Sequence, residues 1–148
     1  LLEELLTLQK IHPNCIHAAT DITGFGLLGH LGEMLGPTAT PEHVRVTLQA
    51  DAIPALPGAL PLLESGLASS LAPANRRSWG LLDQGLVTLH LGNILVGSLQ
   101  SQALLELLVD PQTCGPLLIS VTSPLADALL QAESSPWTAI GSVALASS

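Results

Sequence analysis

The stretch His17-Ala18-Ala19-Thr20-Asp21-Ile22-Thr23-Gly24-Phe25-Gly26-Leu27-Leu28-Gly29-His30 decides how the rest of the chain is read. It sets one carboxylate, Asp21, between Thr20 and Thr23, then turns through Gly24 and Gly26 into an apolar segment. From Gly24 to Leu35 the residues Phe25, Leu28, Leu31 and Leu35 recur at helical spacing, with Leu27 and Met34 beside them. Glycine costs a helix about 1 kcal/mol relative to alanine, yet Gly26, Gly29 and Gly32 all fall in this one. Close approach of another backbone or of a ligand is the expected reason. The helix N-terminus directs free N–H groups and the positive end of its dipole towards the Asp21 region. An anion such as phosphate suits that end, and a divalent cation suits the carboxylate beside it. Asp and Thr are also ordinary helix caps, so the residues alone leave a plain strand, turn and core helix equally open.

Working outward, Leu1 to Ile11 has an apolar side of Leu1, Leu2, Leu5 and Leu8, reads as a helix, and is ended by Pro13. Leu1 falls inside that helix without a cap, so further chain is expected upstream. Cys15 to Thr20 reads as a strand leading to Asp21, and Gly36-Pro37 closes the central helix. Glu42 to Ala50 alternates, with Val44, Val46 and Leu48 on one side, and is the clearest strand. Gly58 to Ser65 reads as a helix, and Leu67 to Gly80, rich in Ser, Ala and Pro, as loop. Leu86 to Leu91 is a candidate strand. Gln100 to Leu108 is a helix with Leu104, Leu105 and Leu108 inward. A turn at Asp110 to Gly115 feeds a strand from Pro116 to Val121. Ser123 caps a helix with Pro124 in its first turn, running to about Glu133. Trp137 to Ala144 is a final strand. Helices and strands alternate without repeats, which predicts a layered α+β domain with a mixed sheet and packed helices over residues 1–148.

Two long stretches then carry a resemblance. Thr20-Asp21-Ile22-Thr23-Gly24-Phe25-Gly26-Leu27-Leu28-Gly29-His30 resembles the TDVTGFGLLGH signature of the selenophosphate synthetases, or selenide, water dikinases. Asp110-Pro111-Gln112-Thr113-Cys114-Gly115-Pro116-Leu117-Leu118 resembles the DPQTSGGLL of the same family. The resemblance covers nearly the whole chain and only the C-terminal half of the family's enzyme, which belongs with aminoimidazole ribonucleotide synthetase, thiamine-phosphate kinase and a hydrogenase maturation factor. It implies a reaction that makes selenophosphate from selenide, ATP and water, with AMP and orthophosphate released. It implies Mg2+ as the metal, Asp21 as its ligand, and Thr20, Thr23, Gly24 and Gly26 as residues of the nucleotide cleft. It also implies an N-terminal domain that carries the Cys or selenocysteine nucleophile, the catalytic Lys and most ATP contacts, a homodimeric full-length enzyme, and a cytoplasmic location. Lys10 is the sole lysine and no Walker-type glycine loop is present, so the chain by itself is expected to be inactive. Another enzyme of the group, or a non-catalytic binding or regulatory module with this fold, are the competing readings. The DPQT stretch beside TDITGFG separates the family from the other enzymes of its group.

Other residues sort around that frame. Asn75 is expected either to close a surface turn, the favoured reading, or to face the cleft, since related enzymes place an Asn after a glycine-rich loop near this point. Asp110 is expected to cap the turn at Pro111, with a role near phosphate or metal as the alternative. Pro116 stands where the family has Gly and removes an N–H, which puts anion binding by that loop's backbone in doubt. His17 and His30 are expected to be satisfied core or capping histidines, His90 a solvated or capped one, and Cys15 a core thiol. Cys15 and Cys114 have neither metal spacing nor a disulfide framework, so both are expected as reduced thiols. A net charge of −8, with Arg76-Arg77 as the only basic cluster, excludes a nucleic-acid surface. No apolar run reaches membrane-spanning length. The low charge and apolar surplus predict apolar surface that another domain or subunit covers.

Overall fold

The computed structural model describes residues 2–145. Helix α1 (Leu2–Ile11) leads into strand β1 (Ile16–Asp21), which pairs antiparallel with β4 (Leu117–Val121) so that Asp21 stands opposite Leu117. The side-chain placements expected for Leu1, Leu2 and Leu5 lie outside the described residues. A second, three-stranded sheet has the order β3 (Val87–His90), β2 (Val44–Gln49), β5 (Gly141–Leu145). Its central strand is parallel to β3 and antiparallel to β5, so the sheet is mixed. A parallel pair needs a long crossover, and residues 50–86 provide it. The domain is α+β, as its periodicities predict.

The alternation of β2 is realised in its burial: Val46 and Leu48 are buried while Arg45 and Gln49 are exposed. Across them lies α2 (Gly26–Leu35), which contributes Leu28 and Leu31. Val87, Leu108 and Val109 complete this core. Helix α6 (Leu99–Leu107) begins at Ser98, whose Oγ accepts the Ser101 N–H at 3.1 Å as an N-cap. Leu104 and Leu108 are buried, as its spacing predicts, and α3 (Ala59–Glu64) packs on the same helix.

The segment expected as loop from Leu67 to Gly80 differs. It forms α4 (Ala72–Asn75), a 3-10 turn (Arg76–Trp79) and α5 (Gly80–Asp83) in succession. Pro73 sits in the first turn of α4, where its missing N–H costs nothing. Burial of Ala72 and Asn75, and an indole N–H bond from Trp79 to the Leu105 carbonyl at 3.1 Å, fix the turns that local composition left unmarked. Helix α7 (Ser123–Gln131) takes Thr122, not Ser123, as its cap position, because the Thr122 N–H is tied to the Cys15 carbonyl at 2.9 Å at the end of the β1/β4 ladder. The last strand is shorter than the expected Trp137 to Ala144 and spans Gly141–Leu145. It starts at Gly141, whose α-carbon lies against the Thr47 carbonyl oxygen so closely that a methyl group would collide with it. Apolar side chains stand exposed at Leu56, Leu67, Leu95, Val96 and Leu99. Among the described residues no helix is long and apolar enough to cross a membrane.

Candidate functional site

Asp21 ends β1 with its carboxylate exposed. The next residue, Ile22, is buried, and its N–H donates to the Pro116 carbonyl at 2.9 Å, which carries the β1/β4 pairing one step beyond the strands. The Thr23 carbonyl then accepts from two amides, Gly26 N–H at 3.1 Å and Gln112 N–H at 3.0 Å. Its hydroxyl lies 3.0 Å from His30 Nε2, and His30 Nδ1 lies 2.9 Å from Glu33 Oε2. Gly24 is exposed and offers its carbonyl to Asn75 Nδ2 at 2.9 Å.

The start of α2 is held by backbone contact. Gly26 has φ of +71° and is buried against Val109 so tightly that a Cβ would lie 2.6 Å from the Val109 carbonyl carbon. Leu28 N–H donates to the Leu108 carbonyl at 2.9 Å. Close backbone approach is therefore the reason for a glycine at 26. At 29 and 32 the neighbours are side chains, Phe25 and Leu81. Two of the four N-terminal amides of the helix, those of Gly26 and Leu28, thus have partners within the chain.

Asn75 joins the two long stretches. Its Nδ2 donates both hydrogens, one to Gly24 in the first and one to the Val109 carbonyl, 3.0 Å away, at the threshold of the second. It is buried, which corrects the expectation that it closes a surface turn. A helical turn in a segment without regular periodicity carries it to the base of the loop. The run of small residues around it, Ala72-Pro73-Ala74, is the one local sign that it is packed closely.

The remaining candidates disperse. Thr20 is half-buried and its hydroxyl reaches only its neighbour's carbonyl, at 3.4 Å. The Asp110 carboxylate accepts from Gln112 Nε2 at 2.9 Å, so the Gln112 side chain and not a backbone amide closes the turn at Pro111. Burial pushes the Asp110 carboxyl above the ordinary aspartate range; the Gln112 bond opposes this and the neighbouring Glu106 charge adds to it. His30 is buried and bonded, as expected, whereas His17 is exposed on β1 and is not a core residue. His17 falls at the irregularity in the β1/β4 pairing between Ile16 and Ala18. Cys15 is half-buried, not core, and Cys114 is exposed; both are free thiols. Beyond the loop, Arg77 stacks over Phe25 at 5.7 Å, and Arg76 pairs with Glu106 at 2.8 Å. Among the described residues no three of His, Cys, Asp and Glu cluster in a way that would hold a metal ion. Asp21 can supply one carboxylate and no more.

Comparison with known proteins gives the arrangement its relatives. The family model for AIR synthase related protein, C-terminal domain, matches residues 1–144. Selenide, water dikinase of Nitratidesulfovibrio vulgaris (strain DP4) is 35% identical over 129 residues, covering 85% of this chain and 32% of that protein. The enzyme of the same name from Pelobacter propionicus is 38% identical over 117 residues, covering 79% of this chain and 29% of that protein. That from Clostridioides difficile is 35% identical over 116 residues, covering 78% and 29%. The chain spans about a third of the length of these curated relatives. It belongs to the AIR synthase related protein C-terminal domain family, in the form carried by the selenide, water dikinases.

Proposed function

We propose that this chain is the C-terminal domain of a larger enzyme that makes selenophosphate from selenide, ATP and water, releasing AMP and orthophosphate. The carrying observation is the interlock of the stretches 20–30 and 110–118, which fixes an exposed carboxylate, Asp21, at the end of β1. A single exposed carboxylate at a strand end is a poor site by itself and a good contributor to a shared one. Magnesium keeps several waters and is commonly bound by one or two carboxylates together with substrate phosphates. The donor set therefore fits Mg2+ only when completed from elsewhere, by a partner domain and the nucleotide. When bound, the cation would neutralise phosphate oxygen charge, which is most of what phosphoryl transfer requires of an enzyme.

In this reading Asp21 supplies one oxygen ligand. Thr20, Thr23, Gly24 and Gly26 form the loop that borders the cleft, and Gln112 and Asn75 hold that loop in place. The nucleophile, a catalytic lysine and most ATP contacts belong to an N-terminal domain, so the 148-residue chain alone turns over nothing. The complete enzyme is a cytoplasmic homodimer.

The test is Asp21→Asn in the complete enzyme. Asparagine keeps the size and one acceptor oxygen, so loop and strand should survive with a cost of about 1 kcal/mol or less. The charge is lost, so selenide-dependent AMP release should collapse while the melting temperature barely moves. A variant with lowered melting temperature and full activity per folded molecule would show Asp21 to be a structural cap.

A further inference from the structure

Strand β3 is an edge of the mixed sheet, with β2 on one side and no strand on the other among the described residues. The Val46 N–H donates to the Leu86 carbonyl at 2.9 Å, and Val46 stands opposite Val87 in the parallel ladder. Backbone groups alternate in direction along a strand, so the N–H and C=O of Val87 and of Leu89 point away from β2. Neither outward pair has a hydrogen-bond partner among the described residues. Val87 is 1% exposed, so its pair has little water either, and buried main-chain groups without a partner are rare. Edge strands are commonly blunted by proline, lysine or a bulge, and Val87-Thr88-Leu89-His90 has none of these.

A groove of about 370 Å3 lies along this edge. Its walls include Leu82, Val96, Ser101 and Leu105, and no charged side chain lines it. Leu89 is half-buried while Thr88 and His90 are exposed, so a strand added here meets an apolar wall with one face and water with the other. Acids flank β3 before and after. Asp83 is exposed and lies in sequence between the lining residues Leu82 and Gly85. Asp51 Oδ2 stands 3.9 Å from the place of a Cβ on Gly92, the residue after the lining Leu91. Neither carboxylate is in an ion pair among the described residues.

We propose that β3 and its groove accept an extended segment of a separate protein, which joins the sheet as a new edge strand. Main-chain bonds to Val87 and Leu89 supply affinity, and the groove selects the side chains. The recipient sets the chemistry of the occupant. It alternates apolar residues, directed at Leu82 and Leu105, with uncharged polar ones, and it carries a basic residue beyond each end to meet Asp83 and Asp51. A second copy of this chain does not have that chemistry. Its other edge strand, β5, is followed and preceded by no basic residue, since none occurs after Arg77. Pairing β5 with β3 is also head-to-tail, which propagates into filaments, and a net charge of −8 sets copies against one another.

The test uses the complete protein that carries this domain. The probe is a synthetic peptide of about seven residues, an ordinary strand length, alternating valine and threonine with a lysine at each end. Fluorescence anisotropy of the labelled peptide should show saturable binding that weakens as salt is raised. Two copies of the peptide, N-methylated at alternate residues in either phase, separate main-chain pairing from side-chain contact. The copy whose methyl groups face β3 should bind about tenfold or more weakly. Val96→Glu, at a groove position 88% exposed, should keep the melting temperature and weaken binding by about tenfold or more, because it brings an unpaired charge to an apolar wall. Asp51→Asn with Asp83→Asn should bind several-fold more weakly and lose most of the salt dependence. Deuterium uptake over residues 86–91 should slow when the peptide is added. The inference is overturned if the complete protein does not bind the peptide saturably, if neither N-methylated copy is weakened, or if Val96→Glu binds like the parent. Protection of residues 86–91 before any peptide is added would overturn it too, because another part of the same chain or a second copy would then already fill the edge.

Discussion

Asn75→Ala is the perturbation whose size the structure defines best. The substitution deletes the amide that donates to Gly24 at 2.9 Å and to Val109 at 3.0 Å. The two acceptors do not lose equally. Val109 is 0% exposed, so its carbonyl has no bulk water to turn to, and a buried acceptor left without a partner costs about 1–3 kcal/mol. Gly24 is exposed, and water can replace the amide there, which limits that arm to the net value of one neutral bond, about 0.5–1.5 kcal/mol. Together they give a loss of about 2–4 kcal/mol, reduced if a water enters the space of the deleted amide and bridges both carbonyls. That is a large share of the stability of an ordinary domain, about 5–15 kcal/mol.

Urea denaturation of parent and variant, followed by Trp79 and Trp137 fluorescence, measures it as a shift in midpoint at unchanged slope. Asn75→Asp sharpens the test. It keeps the shape, exchanges a double donor for an acceptor, and faces two carbonyl oxygens with a charge, so it should be no more stable than the alanine variant. Stability of Asn75→Ala within about 0.5 kcal/mol of the parent, the ordinary range for surface changes, would refute the clamp. So would an aspartate variant as stable as the parent.

Gly115→Ala should fold poorly or lose the β1/β4 register, because its methyl would collide with the Ile22 carbonyl oxygen; a parent-like melting temperature and amide exchange pattern would contradict this. Asp110 should leave a mark on the pH profile of stability. Burial raises its folded titration above the ordinary aspartate value, so between those two points the native state holds a proton that the unfolded chain has released, and stability falls as pH rises through that window. Asp110→Asn, which can still accept from Gln112, should remove that fall, and an unchanged profile would speak against it. Thiol titration of denatured, unreduced protein should count two free thiols, Cys15 and Cys114; a count of none would mean that they are joined.

What the sequence made legible follows from the range of the forces involved. β2 was readable because its alternation is local and one face meets α2 directly. The central helix was readable for the same reason, with one shift: it starts at Gly26 and not Gly24, since Gly24 and Phe25 turn into it and Gly26 alone has the positive φ. Asn75 was not readable. Its partners lie 51 and 34 residues away, and no local pattern reports a side chain whose hydrogen bonds are that distant. The helical turns from Ala72 to Asp83 were missed because Ser, Ala and Pro look alike in a loop and in a short helix whose stability comes from tertiary contact. Asp21 itself was legible as a residue of interest, but that no three metal-ligating side chains cluster among the described residues was visible only in three dimensions.

Pro116 shows how an apparent defect in a motif can be consistent with its job. At this position the family pattern has glycine, and the proline takes away an amide that could have met an anion. The structure uses the other half of the residue: the Pro116 carbonyl accepts the Ile22 N–H at 2.9 Å, and a proline carbonyl does this as well as any other. The neighbouring contacts point the same way. Gln112 N–H donates to the Thr23 carbonyl, and the Gly115 α-carbon lies against Ile22. Three groups of the second stretch, at 112, 115 and 116, are thus directed at the backbone of the first. A loop so engaged acts by holding Asp21, Ile22 and Thr23 in register with β4, and the lost amide matters little to that. Restoring glycine at 116 should therefore add no anion affinity, and it should loosen the loop slightly, because proline restricts the unfolded chain more than glycine does. The absence of the amide is compatible with the site because the part of the loop that supports it is the carbonyl.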